Sequence, residues 1–253
     1  MDGARAVSPT EIAASLDESL DAPRYRAEEP ENGLVFDAGR PVRRLGAAVN
    51  TTLAAIDAAA EAAVDLLLVH HASWPYIDLR THEPKMARLR ERGISLYCAH
   101  ASLDAAAGIG TGDVLARLLG ITVDGRFAAY LGGQAGVHGA WHGTLDELTA
   151  TVTSVLGAAP EVHRDADRCE RVGIVTGAGS MTGWLQEALE LGCDTYLTGE
   201  GSMYTRLFAK EAGLNLLLGG HYRTEAPGIR DLTERTAAHF GLDWCFIDDD
   251  PIG

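Results

Sequence analysis

Apolar residues along this chain recur in short runs that end abruptly in polar or glycine-rich turns, and stretches with helical spacing follow several of them. Val64-Asp-Leu-Leu-Leu-Val69 ends at His70-His71, and Ile94-Ser-Leu-Tyr-Cys-Ala99 ends at His100. Val172-Gly-Ile-Val-Thr176 leads into Gly177-Ala-Gly-Ser180, Thr195-Tyr-Leu-Thr198 into Gly199-Glu200, and Leu214-Asn-Leu-Leu-Leu218 into Gly219-Gly-His221. Short continuous apolar runs bounded by turn residues predict strands buried on both faces. Helices are predicted from Ala54 to Ala63 behind the N-caps Thr51-Thr52, and along Val114, Leu115, Leu118 and Leu119 up to Gly120. Two more are predicted from Thr144 to Leu156 and from roughly Gly228 to Phe240, the second leading to a last strand, Asp243 to Ile247. Strands alternating with helices predict an α/β fold, a mainly parallel sheet with helices on its faces. Between Ile121 and Trp141 shorter segments and glycine pairs predict hairpins and a change of domain.

The chain has 253 residues, enough for one large or two small domains with a buried core. Hydrophobic residues at 46% and charged residues at 23% exclude a disordered chain. No apolar run reaches the length of a bilayer span, and the acidic opening MDGARAVSPTEIAASLDESLDAP lacks a basic region followed by an apolar stretch. The expected location is therefore the cytoplasm, with no membrane partner. Cys98, Cys169, Cys193 and Cys245 are scattered without a Cys-x-x-Cys pair and are expected as free thiols in a reducing compartment. A net charge of −15 repels nucleic acid and anionic membranes. The densest basic stretch, Arg88 to Arg92, is broken by Leu89 and Glu91, so no phosphate-gripping patch is expected.

Ligands of open α/β sheets bind beyond the carboxyl ends of the strands. Three of the predicted strand ends carry histidines, the commonest metal ligand, with carboxylates near them to supply charge. Neighbouring side chains in a strand face opposite ways, but at a strand's end His70 and His71 can each address one of two ions, roughly 3.5–4 Å apart. Trp74-Pro75 just beyond supports such a turn. His100-Ala-Ser-Leu-Asp104 and His221-Tyr-Arg-Thr-Glu225 each set a histidine and a carboxylate four apart, hence on one face if the segment is helical. Taken singly, each cluster has a plainer use as polar loop, N-cap or first-turn acid. Three at one edge of one sheet point together to a metal centre. The other histidines, His82, His138, His142, His163 and His239, lack a carboxylate at useful spacing after a strand and are expected at the surface.

Val172 to Gly183 imitates a dinucleotide-binding fingerprint, with Glu200 ending the next strand. Its third glycine falls one position late, and a tight strand-to-helix connector is the simpler reading, with phosphate binding at backbone amides as the alternative.

These motifs resemble the GTP cyclohydrolase I type 2 homologue family, the NGG-interacting-factor-like dinuclear metal proteins. The resemblance is carried by Leu-Leu-Val-His-His at 67–71, Tyr-Cys-Ala-His-Ala-Ser-Leu-Asp-Ala-Ala at 97–106 and Gly-Ala-Gly-Ser at 177–180. It continues through Asp-Thr-Tyr-Leu-Thr-Gly-Glu at 194–200 and Gly-His-Tyr-Arg-Thr-Glu at 220–225, with weaker similarity from Asn32-Gly-Leu-Val to Phe-Ile-Asp at 246–248. It implies a dinuclear site built from His70, His71, Asp104, His221 and Glu225, with His100 in or beside it; proton transfer or support of the ligands from behind is the role expected of His100. It implies two α/β domains with parallel or mixed sheets, a metal-binding domain of residues 1–124 and 221–253 and a second of residues 125–220 inserted in it. It further implies a ring-shaped homohexamer. The chain departs from the family's usual pattern at Ala72, where proline is usual, at Asn50, where aspartate is usual, and in the looser glycine stretch Gly108 to Asp113.

The expected function is a metal-dependent hydrolase using two divalent ions (Zn, Mn, Fe, Co or Ni suit mixed nitrogen and oxygen ligands). The resemblance adds a small, nucleotide-like substrate, with opening of the imidazole ring of GTP as its suggested reaction. A non-catalytic protein that stores, delivers or senses metal is the alternative from another class. A nicotinamide-dependent oxidoreductase using Gly177 to Gly183 and Glu200 is the third reading.

Overall fold

The computed structural model describes residues 7–250; residues 1–6 of the opening read for a leader lie outside them. The chain divides into two compact units, one of residues 1–106 with 229–253, the other of residues 107–228 inserted between those parts. The boundaries that the resemblance implies are 124/125 and 220/221. The 107–120 stretch goes with the inserted unit because its helix packs on that unit's strands.

In chain order the first unit contains α1 (Pro9–Leu20), α2 (Ala22–Tyr25), β1 (Gly33–Phe36), β2 (Arg44–Asn50), α3 (Leu53–Glu61) and β3 (Leu66–His71). It continues with α4 (Pro75–Asp78), α5 (His82–Arg92), β4 (Ser95–Cys98) and α6 (Ala101–Asp104). The second unit contains α7 (Thr111–Leu118), β5 (Thr122–Tyr130), β6 (Gly133–Ala140), α8 (Leu145–Leu156), β7 (Glu161–His163) and β8 (Arg171–Val175). It goes on with α9 (Thr182–Glu190), β9 (Thr195–Thr198), α10 (Met203–Ala212) and β10 (Asn215–Leu218). Helix α11 (His221–Phe240) starts in the second unit and ends in the first, and β11 (Asp243–Phe246) closes the chain's regular structure.

The first unit's described strands form a sheet in the order β1-β4-β3-β2-β11. β4, β3, β2 and β11 are parallel and β1 joins the edge antiparallel. Strand β3 is central, so both its faces are covered, which is why Leu66 to Val69 read as one apolar run. Its Leu67 and Val69 share a core with Leu96 of β4, Ile56 of α3 and Met86 and Leu89 of α5. Full burial of such a side chain contributes about 1.5–3 kcal/mol. Thr52 caps α3 by accepting from the Ala55 N–H at 2.9 Å, as the sequence predicts.

The second unit's sheet runs β5-β6-β8-β9-β10-β7 and is mixed. β8, β9 and β10 are parallel, while the β5–β6 hairpin and β7 add antiparallel partners. One face packs Leu197 and Leu217 against Leu115 of α7 and Leu145, Leu148 and Val152 of α8. The alternate residues Tyr196 and Leu216 pack on the other face against Leu185 of α9 and Ala209 of α10, as the period of two requires. Both units are thus α/β with mixed, helix-flanked sheets, the class expected. Among the described residues no helix is long and apolar enough to cross a membrane, and all four cysteines are free thiols.

One element differs from expectation. Helix α11 begins at His221, seven residues before the predicted start, because Pro227-Gly228 mimics a helix entrance yet lies inside the helix. Both His221 and Glu225 therefore stand in its first turns.

Candidate metal centre

In the first unit, the parallel strands β3 and β4 deliver His70, His71 and His100 to one edge. His70 has no exposed surface and His71 is partly exposed. Although they are neighbours on a strand, their ring centroids lie 4.8 Å apart. The ring of His100, just after β4, is 5.0 Å from that of His70 and 5.4 Å from that of His71. One ligand atom from each lies within 4.8 Å of the others, close enough to face a common ion. His100 also stands at the N-cap of α6, and Asp104 ends that helix with its Oδ1 3.6 Å from His70 Nε2. The four-residue spacing of His100 and Asp104 spans one helical turn, closed by the Asp104 N–H donating to the His100 carbonyl at 3.1 Å.

What the sequence does not show is how the imidazoles are held. His70 Nδ1 lies 2.7 Å from the carbonyl oxygen of Ala99. His71 Nδ1 lies 2.8 Å from Asn50 Oδ1, across the β2–β3 register that pairs these two residues. His100 Nδ1 lies 2.7 Å from Glu29 Oε1. Each ring has Nδ1 against an oxygen, the arrangement in which Nδ1 donates and Nε2 is the nitrogen that could meet an ion.

Glu29 is buried, and it also accepts from Asn32 Nδ2 at 2.5 Å and from the Ala101 N–H at 3.4 Å. Asn32 Oδ1 in turn accepts from the His100 N–H at 3.1 Å and the Ser102 hydroxyl at 2.9 Å. Burial pushes the Glu29 carboxyl up, but His100, Ala101 and Asn32 together hold it below the usual glutamate range. Asp249 accepts from Asn50 Nδ2 at 2.9 Å and from the backbone N–H groups of Asn50 and Val49 at 2.9 and 3.1 Å. Burial raises the Asp249 carboxyl above the usual aspartate range despite those donors.

In the second unit, His221 and Glu225 sit one helical turn apart on α11, with His221 Nε2 3.1 Å from Glu225 Oε1. Glu225 is buried, and Glu200, after β9, approaches His221 Nδ1 at 2.8 Å. Burial works against protonation of His221, yet hydrogen bonds and charge from Glu225 and Glu200 outweigh it and hold the imidazole up at about 9.

The glycine loop after β8 lies against this pair. Gly177 has φ +64°, and a Cβ there would collide with Glu225 Oε1 and come 3.1 Å from His221 Nε2. Its N–H donates to Thr224 Oγ1 at 3.0 Å and its carbonyl accepts from the Glu200 N–H at 3.0 Å. At Gly199 a Cβ would meet His221 Cα at 2.7 Å. These glycines make room for a histidine–carboxylate pair, and the connector reading of the loop gains a reason.

Glu29, Asn32, Asn50 and Asp249 escaped the sequence reading as parts of the site. Glu200 was noticed only as part of the dinucleotide-like pattern.

The fold and its side chains define a two-unit α/β protein carrying histidine–carboxylate clusters of the kind that hold divalent metals. The family model described as Duf34/NIF3 (NGG1p interacting factor 3) matches residues 8–251, and the chain belongs to that family. It is 34% identical over 229 residues to a protein of Deinococcus radiodurans named "GTP cyclohydrolase 1 type 2 homolog", covering 85% of this chain and 84% of the relative. A Halobacterium salinarum protein of the same name is also 34% identical over 229 residues, covering 87% of this chain and 90% of the relative. Among solved structures, one titled "protein ybgI, unknown function" superposes with a TM-score of 0.85 at 29% identity, covering 96% of this chain and 98% of that one. The family expected from the motifs is the one that matches.

Proposed function

We propose that His70, His71, Asp104, His221 and Glu225 hold two divalent metal ions, and that the protein is a metal-dependent hydrolase acting on a small nucleotide-like molecule. The observation that supports this best is a shared arrangement of four histidines, three at the edge of the first unit's sheet and His221 at the start of α11 in the second unit. Each has Nδ1 against an oxygen, and in His70 and His221 Nε2 faces a carboxylate, Asp104 at 3.6 Å and Glu225 at 3.1 Å. Carboxylates stand beside these rings, and Gly177 gives up a Cβ where Glu225 and His221 meet. This donor set fits Zn, Mn, Fe, Co or Ni.

Divalent ions held there supply Lewis acidity, bringing the pKa of water towards neutrality and polarising the bond under attack. The protein's own groups do the rest. Asp104 and Glu225 bring the negative charge that a pair of cations requires. His100, fixed at Nδ1 by Glu29, presents Nε2 to hold or hand over a proton during turnover. Glu200 orients His221 in the same way. The reading includes a homohexamer in the cytoplasm and no nucleic-acid partner. The name that these relatives share directs the substrate search to GTP.

Elemental analysis of the purified protein beside Asp104→Ala and His221→Ala, with circular dichroism as a check on folding, tests the site. About two ions per subunit, lost from folded variants, is the expected result. Turnover is then assayed on GTP, phosphoesters and cyclic amides. A metal-loaded protein inert towards all of them defeats the hydrolase reading, and ready transfer of its metal to an acceptor would make it a carrier instead.

A further inference from the structure

The three acceptors at the first unit's imidazoles differ in what fixes them. A main-chain carbonyl holds His70, and Glu29, itself ringed by donors, holds His100. His71 faces an amide, Asn50, whose two ends are chemically opposite: an oxygen that accepts and a nitrogen that donates. Nothing in Asn50 itself decides which end meets the imidazole. Asp249 decides it. Its carboxylate is anchored by the Val49 and Asn50 N–H groups, and Asn50 Nδ2 donates to it at 2.9 Å. Turned the other way, Asn50 would set its oxygen against a partly buried carboxylate, losing a charge-assisted hydrogen bond and adding repulsion. With Nδ2 held by Asp249, Oδ1 must face His71 Nδ1 at 2.8 Å, and Nδ1 must carry the proton to donate to it.

We infer that Asp249, acting through Asn50, fixes His71 as the Nδ1–H tautomer and so presents its Nε2 lone pair, making Asn50 and Asp249 positioning residues of the metal centre. The link to metal rests on the function proposed above; the tautomer does not. The two residues come from β2 and from the segment after β11, which pair in parallel, so the sheet itself delivers the acid behind the amide. The arrangement also accounts for asparagine at position 50: an acid there would accept from His71 but would confront Asp249 with a second negative charge.

Long-range proton–nitrogen correlation spectra of the metal-free full-length protein, recorded at alkaline pH with His71→Gln to assign the ring, read the tautomer directly. The wild type should show His71 protonated at Nδ1 only. Asn50→Ala and Asp249→Ala should each shift protons to Nε2. Cobalt(II) affinity, measured by chelator competition, should fall about 10–100-fold in each single variant. Because both act along one line, the double alanine variant should bind no more weakly than Asn50→Ala alone. An unchanged His71 tautomer in both alanine variants overturns the inference, and so does a changed tautomer with unchanged cobalt affinity. A wild type that binds no cobalt defeats the metal reading, while the spectra still decide the tautomer. Should Asp249→Ala fail to fold, Asn50→Ala carries the test, since it leaves Asp249 on its two backbone donors and removes only the amide, and an unchanged His71 tautomer there overturns the inference.

Discussion

Replacing Gly177 by alanine asks whether the missing Cβ beside Glu225 belongs to the metal centre. Two penalties combine at this position. The left-handed backbone, φ +64°, costs an L-residue about 1–2 kcal/mol wherever it occurs. The second penalty is local: the new methyl collides with Glu225 Oε1 and comes 3.0 Å from its carboxyl carbon and 3.1 Å from His221 Nε2. Reaching ordinary contact at about 3.5–4 Å demands that Oε1 retreat by roughly 1 Å or more. Metal–ligand distances tolerate only about 0.2 Å, so the pair should drop out of coordination. Gly157 is the matched control, because its φ is +71° and a Cβ there meets nothing within 4 Å. Both alanine variants should lose about 2–8 °C of melting temperature in the metal-free state from the backbone penalty. Only Gly177→Ala should also lose metal affinity, by at least about 10–100-fold in chelator competition, as much as an outer hydrogen-bond partner is worth. Equal and undiminished affinity in Gly177→Ala and Gly157→Ala would refute the reasoning.

Three further outcomes are expected. The His221 imidazole is held at about 9, above the 6.5 of an exposed histidine, so its contribution to the metal-free protein is complete below pH ~6.5 and lost as pH rises through about 9. Melting temperatures of chelator-treated protein should fall across that window and flatten in Glu225→Gln; a flat wild-type profile contradicts the assignment. Glu29→Ala removes the acceptor of both Asn32 and His100 and should lower stability by about 1–3 kcal/mol in urea titration, whereas a change below about 0.5 kcal/mol would mean other groups replace it. Leu67→Ala, fully buried at the centre of the first sheet, should cost about 2–5 kcal/mol with an unchanged denaturant slope, and a smaller loss would show that α3 and α5 close over the gap.

The sequence made the candidate metal ligands legible for a physical reason, although they stand beside two sheets and not at the edge of one as expected. Strands buried on both faces must read as apolar runs, so the polar residues ending them stand out, and His70, His71, His100 and His221 all stand at such ends. The groups that hold these rings were hidden. Glu29 lies 71 positions from His100, and Asp249 lies 199 positions from Asn50, so no local spacing connects them. Glu29 sits in the run Glu28-Glu29-Pro30-Glu31, where every acid looks solvated. Asn50 appears in sequence only as a departure from an expected aspartate, and the acid behind it comes from the far end of the chain. The start of α11 was misplaced because proline and glycine normally mark a helix boundary, and here tertiary packing overrides them: a Cβ on Gly228 would come 2.8 Å from Thr111 Cα, so the helix needs glycine for closeness.

Trp74 provides the first unit with a built-in optical probe. Its indole lies 5.2 Å from the ring of His100 and 5.8 Å from that of His71. An open-shell cation taken up by those imidazoles would sit near enough to quench its emission. Loading can therefore be followed by intrinsic fluorescence without any added dye, and Trp74→Phe subtracts the signal of the other indoles.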